Sequence, residues 1–137
     1  MIDIMAPHQA LPRRATARRI ALALCLLAGI ATAAFARTAP EALPDVTLAD
    51  LPKEAREVYA LIGKGGPFHY DRDGVAFGNR EKLLPSKPRG YYHEYTARTP
   101  GAKNRGARRV ICGGPKTTPD ACYYTDDHYQ SFRRIRE

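Results

Sequence analysis

The sequence lacks several features that would point to a membrane protein, a repeat protein or a metalloprotein. It contains no internal repeat, no low-complexity tract and no C-x-x-C pair, the spacing used by redox motifs and many zinc sites. Its longest apolar run, Ile20 to Phe35, is shorter than the ~20 residues that a bilayer requires. Acidic residues are few, with 14 Asp and Glu against 22 Lys and Arg. We therefore expect a small basic protein without a metal site, a cofactor or a transmembrane anchor.

The N-terminal segment has the three-part order of a secretory signal peptide. Arginines at positions 13, 14, 18 and 19 precede the apolar run, which ends in the small-residue sequence Ala34-Phe35-Ala36. A basic region, an apolar core and an A-x-A site in this order predict cleavage after Ala36. Residues 1–36 are assigned to the signal peptide, and the mature protein is expected to be secreted, with the periplasm and the extracellular space both open.

The remainder has the length of one small domain with a single modest core. Residues 37–47, which contain two prolines, are expected to form a flexible leader, and residues 48–137 the folded domain. The whole chain has a formal net charge of +8. A basic exported domain favours an anionic partner, either nucleic acid or an acidic protein surface. We expect a monomer.

Two cysteines remain after the signal peptide, Cys112 and Cys122. An even number of cysteines in an exported protein predicts a disulfide, here across the turn-rich loop GGPKTTPDA. A metal pair or a redox motif would need a C-x-x-C spacing or neighbouring ligands, which are missing. A bridge over so short a loop stabilises the fold by roughly 2–3 kcal/mol in the chain-entropy model.

The order of local patterns predicts an α+β fold. Asp50 can cap a helix that has Pro52 in its first turn, and Leu51, Ala55, Val58 and Ile62 form one apolar stripe at helical spacing. Short strand-like runs then alternate with turns, at residues 75–77, 90–97, 108–112, 122–125 and 130–135. We therefore expect one N-terminal α-helix packed on a twisted antiparallel sheet of about five strands.

Glu94 is the first candidate for chemistry. It lies in the aromatic run YYHEYT and is followed by five cations, Arg98, Lys103, Arg105, Arg108 and Arg109. Strand alternation places Glu94 on one face, and an ordinary hairpin register would make Arg109 its cross-strand neighbour. This is the pattern of a base beside a site for an anion, although a structural ion pair has the same composition.

Two further segments extend this constellation. His128, between two carboxylates and Tyr129, has the residue type of an acid catalyst, or it is an ordinary surface histidine. The loop FGNRE, residues 77–81, begins at a strand end and is either part of the site or a turn with a solvated Arg–Glu pair. A carboxylate base, a histidine acid and paired arginines are what RNA transphosphorylation needs, because the 2′-hydroxyl must lose a proton and the 5′-oxygen must gain one.

Three longer stretches carry a family resemblance. PFHYDRDGVAFGNREKLLP, GYYHEYTARTPGAKNRGARRVICGG and YYTDDHYQSF resemble, in order and spacing, the small exported microbial guanyl-specific ribonucleases, the family that includes barnase. The resemblance extends from about Leu51 to Phe132. It implies a secreted endoribonuclease that cleaves single-stranded RNA after guanosine, without a metal, through a 2′,3′-cyclic phosphate that is then hydrolysed to a 3′-guanylate end.

The resemblance also implies a role for each matched residue. Glu94 matches the general base and His128 the general acid, while Arg105 and Arg109 match the cations on the scissile phosphate. The implied guanine contacts are the Glu81 carboxylate, the backbone N–H groups of Asn79 and Arg80, and the rings of Phe77 and Tyr129, which flank or stack on the base.

One position departs from the pattern and one alternative remains open. Gly78 stands in the guanine loop, residues 77–81, where a larger residue is expected, and its freedom would loosen the loop and weaken base discrimination.

The resemblance implies an acidic, barstar-like inhibitor protein as a partner. The alternative from another class is a non-catalytic basic module that binds RNA or an acidic surface.

Overall fold

The computed structural model describes residues 42–137, so the predicted signal peptide 1–36 and most of the predicted leader lie outside the described residues. The described part contains one α-helix and six strands: α1 (Lys53–Lys64), β1 (Asp45–Thr47), β2 (Val75–Phe77), β3 (Tyr92–Thr96), β4 (Arg109–Gly113), β5 (Ala121–Thr125) and β6 (Arg133–Arg136). This order of elements confirms the predicted α+β class.

Helix α1 forms where the apolar stripe predicted it. Ala55, Val58 and Ile62 are buried, and Leu51 packs with them from just before the helix. Gly65, with φ of 79°, takes the left-handed conformation that ends the helix and donates its N–H to Ile62 O at 3.1 Å. No helix among residues 42–137 is long and apolar enough to cross a membrane.

The start of the helix differs from the prediction in one detail. Asp50 does not cap α1, because Leu48–Asp50 forms a separate 3₁₀ turn. The carboxylate of Asp50 instead accepts a hydrogen bond from the hydroxyl of Thr47 at 2.7 Å. Pro52 occupies the N-cap position and has no side-chain donor or acceptor to contribute, so the chain enters the helix without a side-chain cap.

The six strands form one sheet in the order β1-β6-β5-β4-β3-β2. All neighbours are antiparallel except β1 and β6, which are parallel, so the sheet is mixed. The sixth strand corrects the expectation of about five, and it consists of residues 45–47, which the sequence placed in the flexible leader. Three residues are too few to show an alternating pattern, and their partner β6 is at the other end of the chain.

The two faces of the sheet have different roles. Helix α1 covers one face, where the larger apolar cluster includes Tyr95, Val110 and Tyr124. The other face carries a smaller cluster that includes Tyr92, Ile111 and Phe132. Because side chains alternate along β3, Glu94 shares the second face with Tyr92. Its carboxylate therefore points away from the helix, toward the loops that follow β2 and β5.

The predicted disulfide is confirmed. Cys112 in β4 stands directly opposite Cys122 in β5, with their Cα atoms 4.1 Å apart, and both are buried in the cluster under α1. The bridge therefore fastens the two central strands on the face opposite Glu94, so the strand that carries Arg109 is held from behind.

Candidate active site

The centre of the site is the carboxylate of Glu94, whose side chain is 7% exposed. Its Oε1 lies 3.7 Å from Nη2 of Arg105 and 3.8 Å from Nη2 of Arg72. A buried carboxylate is costly unless opposite charges and hydrogen bonds accompany it. The two guanidinium groups supply that compensating charge.

Tyr129 links Glu94 to Arg109. Its hydroxyl donates a hydrogen bond to Oε2 of Glu94 at 2.5 Å and accepts one from Nε of Arg109 at 3.1 Å. Burial raises the pKa of Tyr129, and the hydrogen bond to Glu94 and its charge raise it further, while Arg109 acts in the opposite direction. The hydroxyl therefore keeps its proton at neutral pH and holds the carboxylate in place.

The register between β3 and β4 differs from the predicted one. Glu94 stands opposite Ile111, and Arg109 stands opposite Thr96, so the expected direct pairing of Glu94 with Arg109 is wrong by two residues. The predicted face is nevertheless right, since an even shift keeps a side chain on the same side of the sheet. The long connection between the strands, residues 97–108, does not constrain the register as a tight turn would.

Arg109 organises the loop that leads into β4. It is buried, at 4% exposure, and its Nη1 donates hydrogen bonds to the carbonyl oxygens of Gly106 and Arg108 at 2.9 and 2.7 Å. Since these contacts use backbone carbonyls, the guanidinium fixes the loop as well as adding positive charge behind Tyr129. The loop in turn carries Arg105.

Arg105 has one donor directed at the site and one used for support. Its Nε donates to Oγ1 of Thr96 at 3.0 Å, which anchors the side chain on β3. Its Nη2 is buried and has no hydrogen-bond partner. Apart from its ion-pair contact to Glu94, this nitrogen has N–H groups with no acceptor, and a guanidinium N–H of this kind can donate to an anionic ligand.

The loop after β2 is braced by Asn79. The side-chain amide of Asn79 donates to Leu84 O at 3.0 Å and accepts from Leu84 N at 3.1 Å. Asn79 has a φ of 47°, so the chain reverses sharply here. The Asn79 side chain is therefore used within the loop. Neither Arg80 nor Glu81 forms an ion pair within residues 42–137, which leaves the Glu81 carboxylate available.

A cleft of about 360 Å³ brings most of the predicted residues together. Seven of the nine predicted site residues line it: Glu94, Arg105, Tyr129, Phe77, Asn79, Arg80 and Glu81. The rings of Phe77 and Tyr129 stack with centroids 5.3 Å apart. Apolar rings and a few polar groups in one concave site are the usual composition of a small-molecule or nucleotide site.

His128 does not line the cleft. It is exposed on the turn after β5. Its backbone N–H donates a hydrogen bond to Ala107 O at 3.3 Å, which ties this turn to the loop between Arg105 and Arg109. His128 and Tyr129 both have positive φ, at 55° and 68°. Two adjacent non-glycine residues in this conformation store strain, a feature that clusters at functional sites.

Asp127 holds this strained turn. Its carboxylate accepts hydrogen bonds from the hydroxyls of Thr125 and Ser131 and from the backbone N–H groups of Gln130 and Ser131. The Ser131 hydroxyl is the largest cause that lowers the pKa of Asp127 to about 2. Asp126 pairs with Arg133 at 3.0 Å. The two carboxylates beside His128 in sequence are thus used within the turn.

Sequence reasoning missed Arg72 and Phe132 as cleft residues. Arg72 reaches Glu94 because the turn before β2 docks on β3: Gly74 N donates to Glu94 O at 2.8 Å, and Asp73 accepts from Thr96 N at 2.7 Å. The pair Asp73-Gly74 is itself a turn signal in the sequence. The pairing of β2 with β3, which brings Arg72 to the carboxylate, is not visible there.

The chain is similar to several known ribonucleases. The family model described as ribonuclease matches residues 35–136. Guanyl-specific ribonuclease St of Saccharopolyspora erythraea is 53% identical over 88 residues, which cover 64% of this chain and 83% of that protein. Guanyl-specific ribonuclease Sa of Kitasatospora aureofaciens is 53% identical over 90 residues, which cover 66% of this chain and 91% of that protein.

A solved structure of ribonuclease Sa2 in complex with mononucleotides is also similar. It is 49% identical, superposes with a TM-score of 0.65, and the match covers 70% of this chain and 96% of that one. The similarity therefore extends over nearly the whole of that chain, in sequence and in fold.

The Asp127 turn generates a pH-dependent stability prediction. Replacing Asp127 with Ala removes the acceptor for four donors and should reduce the free energy of unfolding at pH 7 by about 1 kcal/mol, as the loss of a capping carboxylate does. The pKa of Asp127 is about 2 in the folded state against an ordinary 3.8, so its contribution is complete above the ordinary pKa and is lost as the pH falls through the folded one.

Urea unfolding of the parent and of Asp127→Ala at several pH values tests this. The two proteins should differ most above about pH 4, and the difference should shrink as the pH falls toward about 2 and vanish only below it, where the carboxylate is protonated in both states. Asp71→Ala, at an exposed position whose carboxylate forms no ion pair among residues 42–137, is the matched control. A difference between parent and Asp127→Ala that stays constant across this range would contradict the assignment.

Proposed function

This chain belongs to the microbial guanyl-specific ribonuclease family, and on that premise we propose which of its residues perform the reaction. The protein is a guanyl-preferring endoribonuclease that acts through a 2′,3′-cyclic phosphate. The comparisons support this enzyme over the non-catalytic basic module. The observation that carries the assignment of residues is the buried Glu94 carboxylate, which shares one cleft with the loop of residues 77–81 and with an unpaired arginine nitrogen.

Glu94 is the general base in this proposal. It removes the proton from the 2′-hydroxyl of guanosine, and the oxygen attacks the adjacent phosphorus to form the cyclic ester. The hydroxyl of Tyr129 and the guanidinium groups of Arg72 and Arg105 keep the carboxylate in one orientation. A base that is already oriented avoids reorganisation during the reaction. The same apparatus cannot cut DNA in this way, because DNA lacks the 2′-hydroxyl.

Arg105 and Arg109 stabilise the phosphoryl oxygens as negative charge accumulates in the transition state. Arg105 offers its Nη2, which lies 3.7 Å from Glu94 Oε1 but makes no hydrogen bond. Arg109 contributes its charge from behind Tyr129 and keeps the Arg105 loop in position through its contacts to backbone carbonyls. Two fixed cations replace the metal ion that many other nucleases use, so the reaction needs none.

His128 is the general acid that protonates the departing 5′-oxygen. The hydrogen bond from its backbone N–H to Ala107 keeps the residue beside the loop that carries Arg105. The exposure of His128 lets its side chain exchange protons with water between the two steps. In the second step the roles reverse: His128 activates a water molecule, Glu94 returns a proton to the 2′-oxygen, and a 3′-guanylate end results.

The loop of residues 77–81 reads the base. The Glu81 carboxylate accepts hydrogen bonds from N1–H and the exocyclic amine of guanine, and the backbone N–H groups of Asn79 and Arg80 donate to O6. Phe77 provides the stacking surface, and Tyr129, whose hydroxyl is held by Glu94 and Arg109, flanks the base. A base–aromatic contact of this kind is worth ~1–3 kcal/mol. Single-stranded RNA is the substrate, because a paired guanine cannot enter such a cleft.

The proposed biology follows from charge and from the N-terminal segment. Residues 1–36 act as a signal peptide, and the enzyme is secreted after cleavage at Ala36 and works as a monomer. A secreted ribonuclease endangers its producer before export. We therefore propose an acidic, barstar-like inhibitor protein that covers the cationic cleft by charge complementarity.

One prediction concerns the general base, Glu94. Glu94→Gln keeps the shape of the side chain and should reduce kcat/KM on single-stranded RNA by about 10²–10⁴, the usual contribution of a positioned base. Initial rates with a short oligonucleotide that contains one guanosine measure this, and circular dichroism checks the fold. Glu57→Gln, on the exposed face of α1, is the matched control. Parental rates in Glu94→Gln would mean that another group removes the proton.

Another prediction concerns guanine recognition by Glu81. Glu81→Ala removes the acceptor for two guanine donors and should lower cleavage after guanosine by about 10²-fold or more, since unpaired donors are costly in a binding site. Cleavage after the other three nucleotides should change little. Four oligonucleotides that differ only at the cleaved position provide the measurement. Equal losses on all four would contradict the role of Glu81.

A further inference from the structure

A second groove lies on the other side of the guanine loop. It has a volume of about 540 Å³, larger than the active cleft, and within the range typical of ligand sites. The groove and the cleft share Ala76, Phe77, Gly78, Asn79 and Arg80. Its far wall is the loop of residues 87–90. The two depressions are therefore adjacent, and the loop that reads the base separates them.

The charge of the groove has a single sign. Three cations line it, Arg80, Lys87 and Arg89, and no carboxylate does. All three are exposed, and within residues 42–137 none of them forms an ion pair. The active cleft, by contrast, contains Glu81 and Glu94. Uncompensated cations along a groove attract a polyanion.

One of these cations has an aromatic partner. Nζ of Lys87 lies 5.2 Å from the centroid of the Tyr91 ring, a cation–π contact. The hydroxyl of Tyr91 in turn donates to the carboxylate of Asp120 at 2.8 Å, which fixes the ring. Lys87 is therefore held at the groove by an aromatic face, and its charge is not neutralised by a carboxylate.

The wall between cleft and groove is thin at Gly78. A Cβ atom there would lie 3.6 Å from Cγ and 3.8 Å from Nε of Arg80, so the Arg80 side chain folds back along the bare backbone of Gly78. This places Arg80 in the lining of both depressions. Arg80 therefore presents a cation to both the cleft and the groove.

The position of the groove indicates which part of an RNA chain it takes. Glu94, Arg105 and Tyr129 line the cleft and not the groove. In the proposed function these residues surround the scissile phosphate, so the chain on the 3′ side of the guanosine leaves from their end of the cleft. A chain in the groove is attached to the guanosine from its other end.

We propose that this groove is a subsite for the RNA chain on the 5′ side of the cleaved guanosine, with its phosphates bound by Arg80, Lys87 and Arg89. The proposal rests on the proposed function of the cleft. It assigns the enzyme a preference for a guanosine within a chain over one at a 5′ end. The backbone charge is recognised, so the upstream bases are not specified.

Three synthetic substrates test the proposal: the dinucleotide GpU, the 5′-extended UpUpGpU and the 3′-extended GpUpUpU. The two extended substrates have equal length and charge and differ only in the side that is extended. The ratio of kcat/KM for each extended substrate to kcat/KM for GpU isolates the effect of the extension. A parent enzyme that cleaves none of the three would contradict the proposed function and not the groove.

The informative variant is Lys87→Gln/Arg89→Gln, with Arg56→Gln/Lys64→Gln, at exposed positions of α1, as a control that removes the same two charges. The 5′-extension ratio, kcat/KM for UpUpGpU divided by kcat/KM for GpU, should fall about tenfold at low salt in the double variant. The slope of its logarithm against log[salt] should decrease in magnitude by about 1 for each phosphate that the variant no longer binds. The 3′-extension ratio should stay at the parental value, and Arg56→Gln/Lys64→Gln should leave both ratios unchanged. Circular dichroism confirms that each variant is folded.

Two outcomes would overturn the proposal. Equal losses in the 5′- and 3′-extension ratios would show that Lys87 and Arg89 act only through the overall charge of the protein. Unchanged ratios in the double variant would show that the groove does not hold RNA, as expected if it served only an acidic protein.

Discussion

The structure depends on one buried negative charge, the carboxylate of Glu94. Placing it at the centre of β3 carries a desolvation cost that only close cations and hydrogen bonds offset. Arg72 comes from the turn before β2, Arg105 from the loop before β4, and Tyr129 from the turn after β5. Three separate segments therefore converge on one carboxylate. The group that performs the proton transfer in the proposed mechanism is also the group that holds these loops together.

The sheet makes this arrangement possible by dividing its two faces between stability and chemistry. The face under α1 contains the larger apolar cluster and the Cys112–Cys122 bridge. The opposite face has a smaller cluster and is left open to the loops. Those loops are braced by their own side chains, Asn79 in the guanine loop and Asp127 in the turn that carries His128. Short side-chain hydrogen bonds within the loops keep the site in place and leave it open.

Much of the fold was predictable because its signals are local. The stripe of α1, the turn residues and the two cysteines each act over a few positions, and the structure has them where the sequence indicated. Non-local pairings were not predictable: β1 pairs with the end of the chain, and Arg109 stands opposite Thr96 and not Glu94. The same limit explains why Arg72 was missed, since its role follows from how β2 pairs with β3 and not from its own neighbours in sequence.

The site residues were predicted by family resemblance more than by composition. A lone carboxylate among cations fits an ion pair as well as a base, and the loop of residues 77–81 fits a solvated turn. The burial of the carboxylate and the directions of the hydrogen-bond donors around it bear on this choice, and neither can be read from the sequence. Tyr129 illustrates this point, because its expected contact was with the base and its observed bonds are with Glu94 and Arg109.

The claim that Glu94 acts on the 2′-hydroxyl is tested most directly with two oligonucleotides that differ by one atom. Each contains a single guanosine, which is a ribonucleotide in one and a 2′-deoxyribonucleotide in the other, and both are incubated with the enzyme and a chelator. The account predicts that only the first is cleaved, giving a 2′,3′-cyclic guanylate, then a 3′-phosphate, and a 5′-hydroxyl on the downstream fragment. Cleavage of the deoxy oligonucleotide, or products with 3′-hydroxyl ends, would contradict it.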